Sequence, residues 1–370
     1  MVHQYINNGY HIVLDVNSGA IHVVDEVVYD VIPLFEKHSS EEITGLLREK
    51  YSEEEIREAV EEVAQLKKEG SLFTPDTYEA PLIDFKKRPT VVKALCLHIA
   101  HDCNLACRYC FAEEGEYHGR RALMSYETGK AALDFLIANS GSRRNLEVDF
   151  FGGEPLMNFE VVKQLVAYGR EQEKLHDKHF RFTLTTNGVL LNDDIMEFAN
   201  REMDNVVLSI DGRKEVHDHM RPFRKGAGSY DLIVPKFQKF AKSRNQEKYY
   251  VRGTYTHFNT DFSKDVLHLA DLGFKQISVE PVVAEETDDY AIKEEDLPVL
   301  FKEYDDLAAE MVRRNKAGNG FNFFHFMIDL EGGPCVYKRL SGCGSGTEYL
   351  AVTPWVIYIR VINLSVMRSF

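Results

Sequence analysis

The chain has 370 residues, 44% of them hydrophobic and 28% charged, the profile of a globular protein with room for two or three domains. A formal net charge of −15 argues against a duplex-binding protein, whose footprint would be basic, without excluding a local basic groove. The opening MVHQYINNGYH lacks the layout of a signal peptide, and no apolar run reaches the ~20 residues a membrane span needs. The expected location is therefore cytoplasmic, with neither nucleic acid nor membrane as a partner.

Residues 1–75 read as one small unit. YHIVLDVNSGAIHVV holds two short apolar strands around Asn17-Ser18-Gly19, a hairpin signal. DEVVYDVIPLFEKH follows as a helix. SSEEITGLLREKY and SEEEIREAVEEVAQLKKEG each open on a capping box, Ser39 with Glu42 and Ser52 with Glu55. Ile56, Val60, Val63 and Leu66 share one helix face, and Gly70 suits the stop. A hairpin and three short helices make a winged-helix-like module. Residues 76–90 read as a linker.

From residue 91 strands alternate with helices. The strand segments are VKALCLHIA, LEVDFFGG, RFTLTTNG, VVLSIDG, YYVRGTYT and KQISVEPVV; SYETGKAALDFLIANS is a helix with Ser125 as N-cap. Repeated β-α units predict an α/β fold, a partial (β/α)6 barrel of parallel strands. In such folds the site gathers at the C-terminal ends of the strands. The unusual residues sit there: Cys103, Cys107 and Cys110; Gly152-Gly153-Glu154-Pro155; Thr186-Asn187-Gly188; Ser209-Ile210-Asp211-Gly212; and Glu280-Pro281-Val282. One site explains this placement better than five unrelated loops.

HDCNLACRYCFAEEG places three cysteines as C-x3-C-x2-C. Soft thiolates select iron–sulfur clusters, zinc or copper(I), whereas a structural zinc site wants four ligands and none is adjacent. Three thiolates can hold a four-iron cluster and leave one iron open to a small molecule. A zinc knuckle or a set of redox thiols is the plainer alternative. The plainer readings are Asp211-Gly212 as a turn, Asn187 as a turn former, Glu154 as a polar loop residue and Arg221 as a solvated charge. Cys96, inside an apolar strand, reads as core, and His98 on the same strand takes no role.

C-x3-C-x2-C with Tyr109 before its last cysteine resembles the signature of radical S-adenosylmethionine (SAM) enzymes. The resemblance covers roughly residues 91–300 and continues in order through GGEP, TTNG, SIDG with HDHMR, and VEPV. It implies that Cys103, Cys107 and Cys110 bind a [4Fe–4S] cluster whose fourth iron chelates SAM. It implies that Gly152, Gly153 and Glu154 meet the SAM amino group, and that Ser209 and Arg221 contact its ribose and carboxylate. Tyr109 and Asn187 complete the cofactor-binding set. A guanidinium suits a carboxylate because it can grip it bidentately. Reductive cleavage of SAM to a 5′-deoxyadenosyl radical is the implied chemistry. A flavodoxin or ferredoxin is the implied electron donor, and the exposed cluster implies anaerobic life.

Residues 311–370 carry Cys335 and Cys343 in GPCVYKRLSGCGSG and resemble the start of a SPASM or twitch extension, which holds auxiliary [4Fe–4S] clusters. Such extensions continue G-x4-C, and the closing VIYIRVINLSVMRSF has no cysteine. One choice of codons for those residues gives GDLYPCHQFVGDEKF after insertion of a single base behind the Trp355 codon. The expectation is a truncated chain, frame-shifted after Trp355. One or two auxiliary clusters, with Cys335 and Cys343 among the ligands, belong to the complete protein.

The order of recognition module, barrel and cysteine-bearing extension resembles maturases of ribosomally made peptides, most of all the SCIFF maturases of small cysteine-rich peptides. It implies a precursor peptide whose leader adds as a strand beside the N-terminal hairpin. The implied product is a thioether between a cysteine sulfur and a carbon. Carbon–carbon crosslinking, epimerisation and sulfatase maturation are other outcomes of the same chemistry; a catalytically dead iron–sulfur peptide-binding scaffold is the non-enzymatic alternative.

Overall fold

The computed structural model describes residues 1–76, 90–117, 119–327, 344, 346–355 and 358–360. Its first element is a strand that the apolar pattern does not announce. β1 (Val2–Asn7) pairs antiparallel with β2 (Tyr10–Asp15), and β3 (Ile21–Val24) completes a three-stranded sheet in the order β1-β2-β3. VHQYIN carries little apolar alternation and is only half covered. Its signal lies in the turn: Asn8 and Gly9 take φ of 49° and 78°, the left-handed pair that a two-residue hairpin demands. The expected hairpin turn is present too, with the backbone N–H groups of Asn17 and Ser18 donating to Asp15 Oδ1.

α1 (Glu26–Phe35), α2 (Ser40–Leu47) and α3 (Glu53–Lys68) follow, and both capping boxes form. Each satisfies N-terminal amides the helix cannot bond internally, a contribution of about 1 kcal/mol. Ile56, Val60 and Val63 are buried beside Val13, Val31 and Ile43, with Leu66 partly buried at the edge. This unit has its own core and comprises the described residues 1–76; residues 90–327 and 344–360 belong to a second compact unit.

In the second unit the six expected strands appear as β4 (Ala94–His101), β6 (Asn145–Gly152), β7 (His179–Thr186), β8 (Asn205–Ser209), β9 (Tyr249–Tyr255) and β10 (Gln276–Pro281); a short β5 (Ala122–Leu123) flanks β4. They pair parallel, each with the next in chain order. Between them run α4 (Tyr126–Asn139), α5 (Phe159–His176), α6 (Asp193–Glu202), α7 (Lys214–Met220), α8 (Tyr230–Ser243) and α9 (Ser263–Asp271). α10 (Leu297–Lys316) leads to β11 (Asn322–Phe323), parallel to β10. Ser125 caps α4, accepting from Thr128 N–H. Residues 349–352, which the sequence places in the C-terminal extension, form β12 (Tyr349–Val352), parallel to β4 in this same sheet. β13 (Tyr358–Arg360) pairs antiparallel with β12.

Alternation along the strands sorts residues to two faces. Leu95, Leu97, Ile99, Val148, Phe150, Phe182 and Leu184 join the apolar core with residues from the helices. Their neighbours in sequence make a more polar face, where Cys96, Asp149 and Thr183 lie in register across β4, β6 and β7. Tyr349 donates from its hydroxyl to Asp149 Oδ2 at 2.5 Å. Cys96 is buried as expected, and burial pushes its thiol far up. Cys335 and Cys343, the stretch after Arg360 and most of the expected linker lie outside the described residues.

Candidate functional site

The β4–β6 register shifts between His98 and Ala100, a bulge that ends the regular ladder where the cysteine loop begins. Gly153 N–H donates to Ala100 O (2.7 Å) and Glu154 N–H to Asp102 O (2.9 Å), fastening the turn after β6 to the start of that loop. On its other side the loop hangs from the end of α7 and the residues just after it: Ala106 N–H donates to Pro222 O and Arg108 N–H to Met220 O, both at 2.9 Å. Gly152 is required here. Its φ is +124°, and a Cβ would stand 2.4 Å from Ala100 O.

Strand ends and loop together enclose a cavity of about 260 Å3. Cys103, Cys107, Cys110 and Tyr109 form one wall; Gly152 and Gly153, Asn187, Ser209 and Arg221 line it from the ends of β6, β7 and β8 and from the turn after α7. The site residues expected from the described part of the sequence thus converge on one cavity, with a single exception. Glu154 is fully buried and absent from the cavity wall. Its Oε1 accepts from Leu156 N–H (3.0 Å) and Thr186 Oγ1 (2.8 Å), and its Oε2 from Asn187 N–H (2.8 Å). Burial raises its carboxyl to about 7 against the pull of those three donors. Glu154 ties the end of β6 to the end of β7 and so aims Asn187, whose amide Nδ2 lies 3.5 Å from Cys103 Sγ and donates to Asn104 Oδ1 at 2.7 Å.

Burial also pushes the thiols of Cys103 and Cys107 up to about 12 in the metal-free protein. Glu154 adds to the rise at Cys103, while the Arg221 guanidinium opposes it at Cys107. Metal binding must expel those protons, so it is coupled to pH.

Further residues brace these walls from behind or line them. Asp211, in the SIDG turn, is fully buried and accepts from Tyr109, Arg221 and the Thr254 backbone. Arg252 and Glu280 form an ion pair of 2.8 Å on the β9–β10 side. Glu280 stands at its strand end in VEPV, whereas Arg252 lies mid-strand in β9, marked only by its alternation with the core residue Val251.

Residues 97–273 match the family model of the radical SAM superfamily. This stretch is a radical SAM domain. That family binds a [4Fe–4S] cluster and SAM. An uncharacterized protein of Methanocaldococcus jannaschii is 31% identical over 189 residues, covering 50% of this chain and 62% of that protein. The cysteine-type anaerobic sulfatase-maturating enzyme of Clostridium novyi is 28% identical over 137 residues, covering 36% of each chain. The radical SAM cyclopropyl synthase TigE of Paramaledivibacter caminithermalis is 23% identical, covering 46% of this chain and 38% of that one. The chain thus spans less than two thirds of the length of these curated relatives. Among solved structures, anSMEcpe with bound AdoMet superposes with a TM-score of 0.59 at 20% identity, covering 75% of this chain and 79% of that one. Streptococcus suis SuiB bound to precursor peptide SuiA gives 0.56 at 16% identity, covering 100% and 84%. These likenesses establish the fold.

The radical SAM domain has a donor set suited to the cluster. Three thiols from one loop share the wall of one cavity, and soft donors select iron–sulfur over hard cations. Among the described residues no three His, Cys, Asp or Glu side chains converge on the position of a single ion. The fit therefore rests on the chemistry of the three thiols and their common cavity.

Proposed function

We propose that the chain is a radical SAM maturase of a ribosomally synthesised, cysteine-rich peptide, forming thioether crosslinks between a cysteine sulfur and a carbon. The single observation that carries the reading is the cavity that joins the three cysteines of one loop to the ends of the parallel strands. When bound, the [4Fe–4S] cluster and SAM supply an oxidant able to take a hydrogen atom from an unactivated carbon. Cys103, Cys107 and Cys110 would hold the cluster. Tyr109, Gly152, Gly153, Asn187, Ser209 and Arg221 would receive SAM, with Glu154 acting through Asn187. Arg221, only 12% exposed in its side chain and facing the cavity, offers a cation for a carboxylate.

The N-terminal unit supports a peptide substrate. Its sheet has two outer strands, β1 and β3, and Tyr5, Ile6 and Val23 are exposed on them. A leader peptide can add there as a further strand through backbone hydrogen bonds, with side-chain contacts giving selectivity. SuiB carries its precursor peptide in the solved complex, and anSMEcpe is known with bound peptides. In the proposed reaction the substrate carbon would give its hydrogen atom to the SAM-derived radical, the thiol would lose a proton, and the surplus electron would pass to an auxiliary cluster as the C–S bond closes. The proposal includes a flavodoxin or ferredoxin as electron donor, auxiliary clusters with Cys335 and Cys343 as ligands, and a cytoplasmic location. Among the described residues no helix is long and apolar enough to cross a membrane.

The test is production of 5′-deoxyadenosine by the anaerobically reconstituted chain with a strong reductant, against Cys103→Ala, Cys107→Ala and Cys110→Ala. Product from the parent alone is expected; none from a parent with a loaded cluster refutes the reading. With a candidate precursor peptide, a product two hydrogens lighter that survives thiol reduction and fails to form when one substrate thiol is blocked identifies a thioether. An unchanged mass would mean epimerisation. Deletion of residues 1–75 should abolish peptide modification and spare SAM cleavage. Unaltered peptide turnover in that deletion refutes leader recognition.

A further inference from the structure

Asp211 stands two residues beyond Ser209, the last residue of β8, and is buried completely. Its Oδ1 accepts from Tyr109 Oη at 2.7 Å, Arg221 Nε at 2.9 Å and Thr254 N–H at 3.0 Å; its Oδ2 accepts from Tyr109 Oη at 2.8 Å. One carboxylate joins three pieces of the cavity wall that the chain places far apart: the cysteine loop, the turn after α7, and β9. Its own N–H donates to His217 Nδ1 at 3.3 Å, which leaves the ring proton on Nε2. Nε2–H then donates to Ser229 Oγ at 2.9 Å, and the Ser229 hydroxyl donates to Arg221 O at 2.8 Å. Arg221 is gripped at both ends, by Asp211 on its guanidinium and by Ser229 on its carbonyl. The same guanidinium stands 5.3 Å from the Tyr109 ring centre. It also acts on the Cys107 thiol.

We propose that Asp211 is the positioning residue of this site. It neutralises the Arg221 guanidinium beside Cys107 and, through the Tyr109 hydroxyl, locks that guanidinium to the loop between Cys107 and Cys110. Charge next to the cluster ligand and orientation of the carboxylate-binding group are thereby set by one side chain. The inference rests on the reading that the three thiols hold a cluster and that SAM enters the cavity. Without the Asp211 charge, Arg221 is an unbalanced cation against Cys107, which favours the more negative, reduced state of the cluster. Without the lock, Arg221 and Tyr109 lose their common anchor, and SAM binding weakens.

The full chain, loaded anaerobically with iron and sulfide, is compared with Asp211→Asn and Tyr109→Phe. Iron content, the midpoint potential of the reduced cluster's EPR signal, and the SAM concentration that half-converts that signal are measured. Asp211→Asn is expected to load iron, to shift its midpoint positive, and to need about tenfold more SAM, as for loss of a charge-assisted hydrogen bond. Tyr109→Phe removes a hydroxyl and no charge, so its midpoint stays at the parent value while its SAM requirement rises a few-fold. A parental midpoint and SAM requirement in loaded Asp211→Asn overturn the proposal, as does a Tyr109→Phe midpoint displaced equally. Should Asp211→Asn fail to load, Asp211→Glu decides, because it keeps the charge at another reach. A parental midpoint with a raised SAM requirement supports the role, and parental behaviour in both refutes it. A parent whose signal ignores SAM refutes the cluster reading itself.

Discussion

Gly153→Ala should loosen the seat of the cysteine loop. Gly153 is read from the sequence as a cofactor contact, and the structure adds a packing reason for it. An alanine Cβ would stand 2.1 Å from Asp102 O, 2.6 Å from Asp102 C and 3.0 Å from Gly115 Cα. All three neighbours are backbone atoms, so no side-chain rotation relieves the overlap. The two chain segments must part by about 1 Å to restore ordinary contact. That movement strains or breaks the 2.9 Å bond from Glu154 N–H to Asp102 O. Overpacking of this kind costs about 1–3 kcal/mol and a lost hydrogen bond about 1 kcal/mol more, together about 2–4 kcal/mol. At roughly 2–4 °C per kcal/mol for a unit of this size, the Tm should fall by roughly 5–15 °C. Because Asp102 adjoins Cys103, iron uptake on reconstitution should fall as well. Calorimetry of the metal-free protein and iron analysis after reconstitution check both effects. Parental Tm and parental iron content together would show that the close approach of residues 102 and 153 does not hold the loop.

Gly45→Ala is the contrasting case. Gly45 lies inside α2 with nothing within 4 Å of its added Cβ, so alanine should stabilise the N-terminal unit by about 0.5–1 kcal/mol, read as a higher denaturant midpoint. Acid should destabilise the protein through His217, whose imidazole burial holds down to about 4. A depressed histidine is penalised when protonated, so its stability is lost as pH falls from 6.5 towards 4, by about 2 kcal/mol at pH 5 relative to pH 7. His217→Asn keeps an acceptor for Asp211 N–H and removes the titration. Its denaturant stability should therefore change less between pH 7 and pH 5 than the parent's, by about that amount, and an equal change in both would sink the assignment.

Much of the architecture is encoded locally and is therefore legible. The two capping boxes, the Ser125 cap and the six β-branched strands each express a preference that holds within one turn or one strand. β1 was readable only through Asn8-Gly9, because a half-covered edge strand imposes no strict alternation. The five strand-end motifs could be assigned to one site because parallel α/β topology collects them at one face.

Chemistry and order are written in the residues themselves: three thiols at C-x3-C-x2-C spacing, followed by strand ends bearing glycine, asparagine and serine and by Arg221 after α7. Which of these groups meet is settled by contacts across the fold. Tyr109 and Asp211 are 102 residues apart in the chain and share a hydrogen bond. Asp211 in SIDG is indistinguishable from a turn aspartate until β8, β9 and the cysteine loop are brought together around it. Glu154 reads as a cavity residue from its motif, yet three donors draw its carboxylate inward. Spacing fixes neighbours along a strand or helix; burial, charge balance and hydrogen-bond partners depend on contacts across the fold, and those exist only once the sheet has closed around the loop.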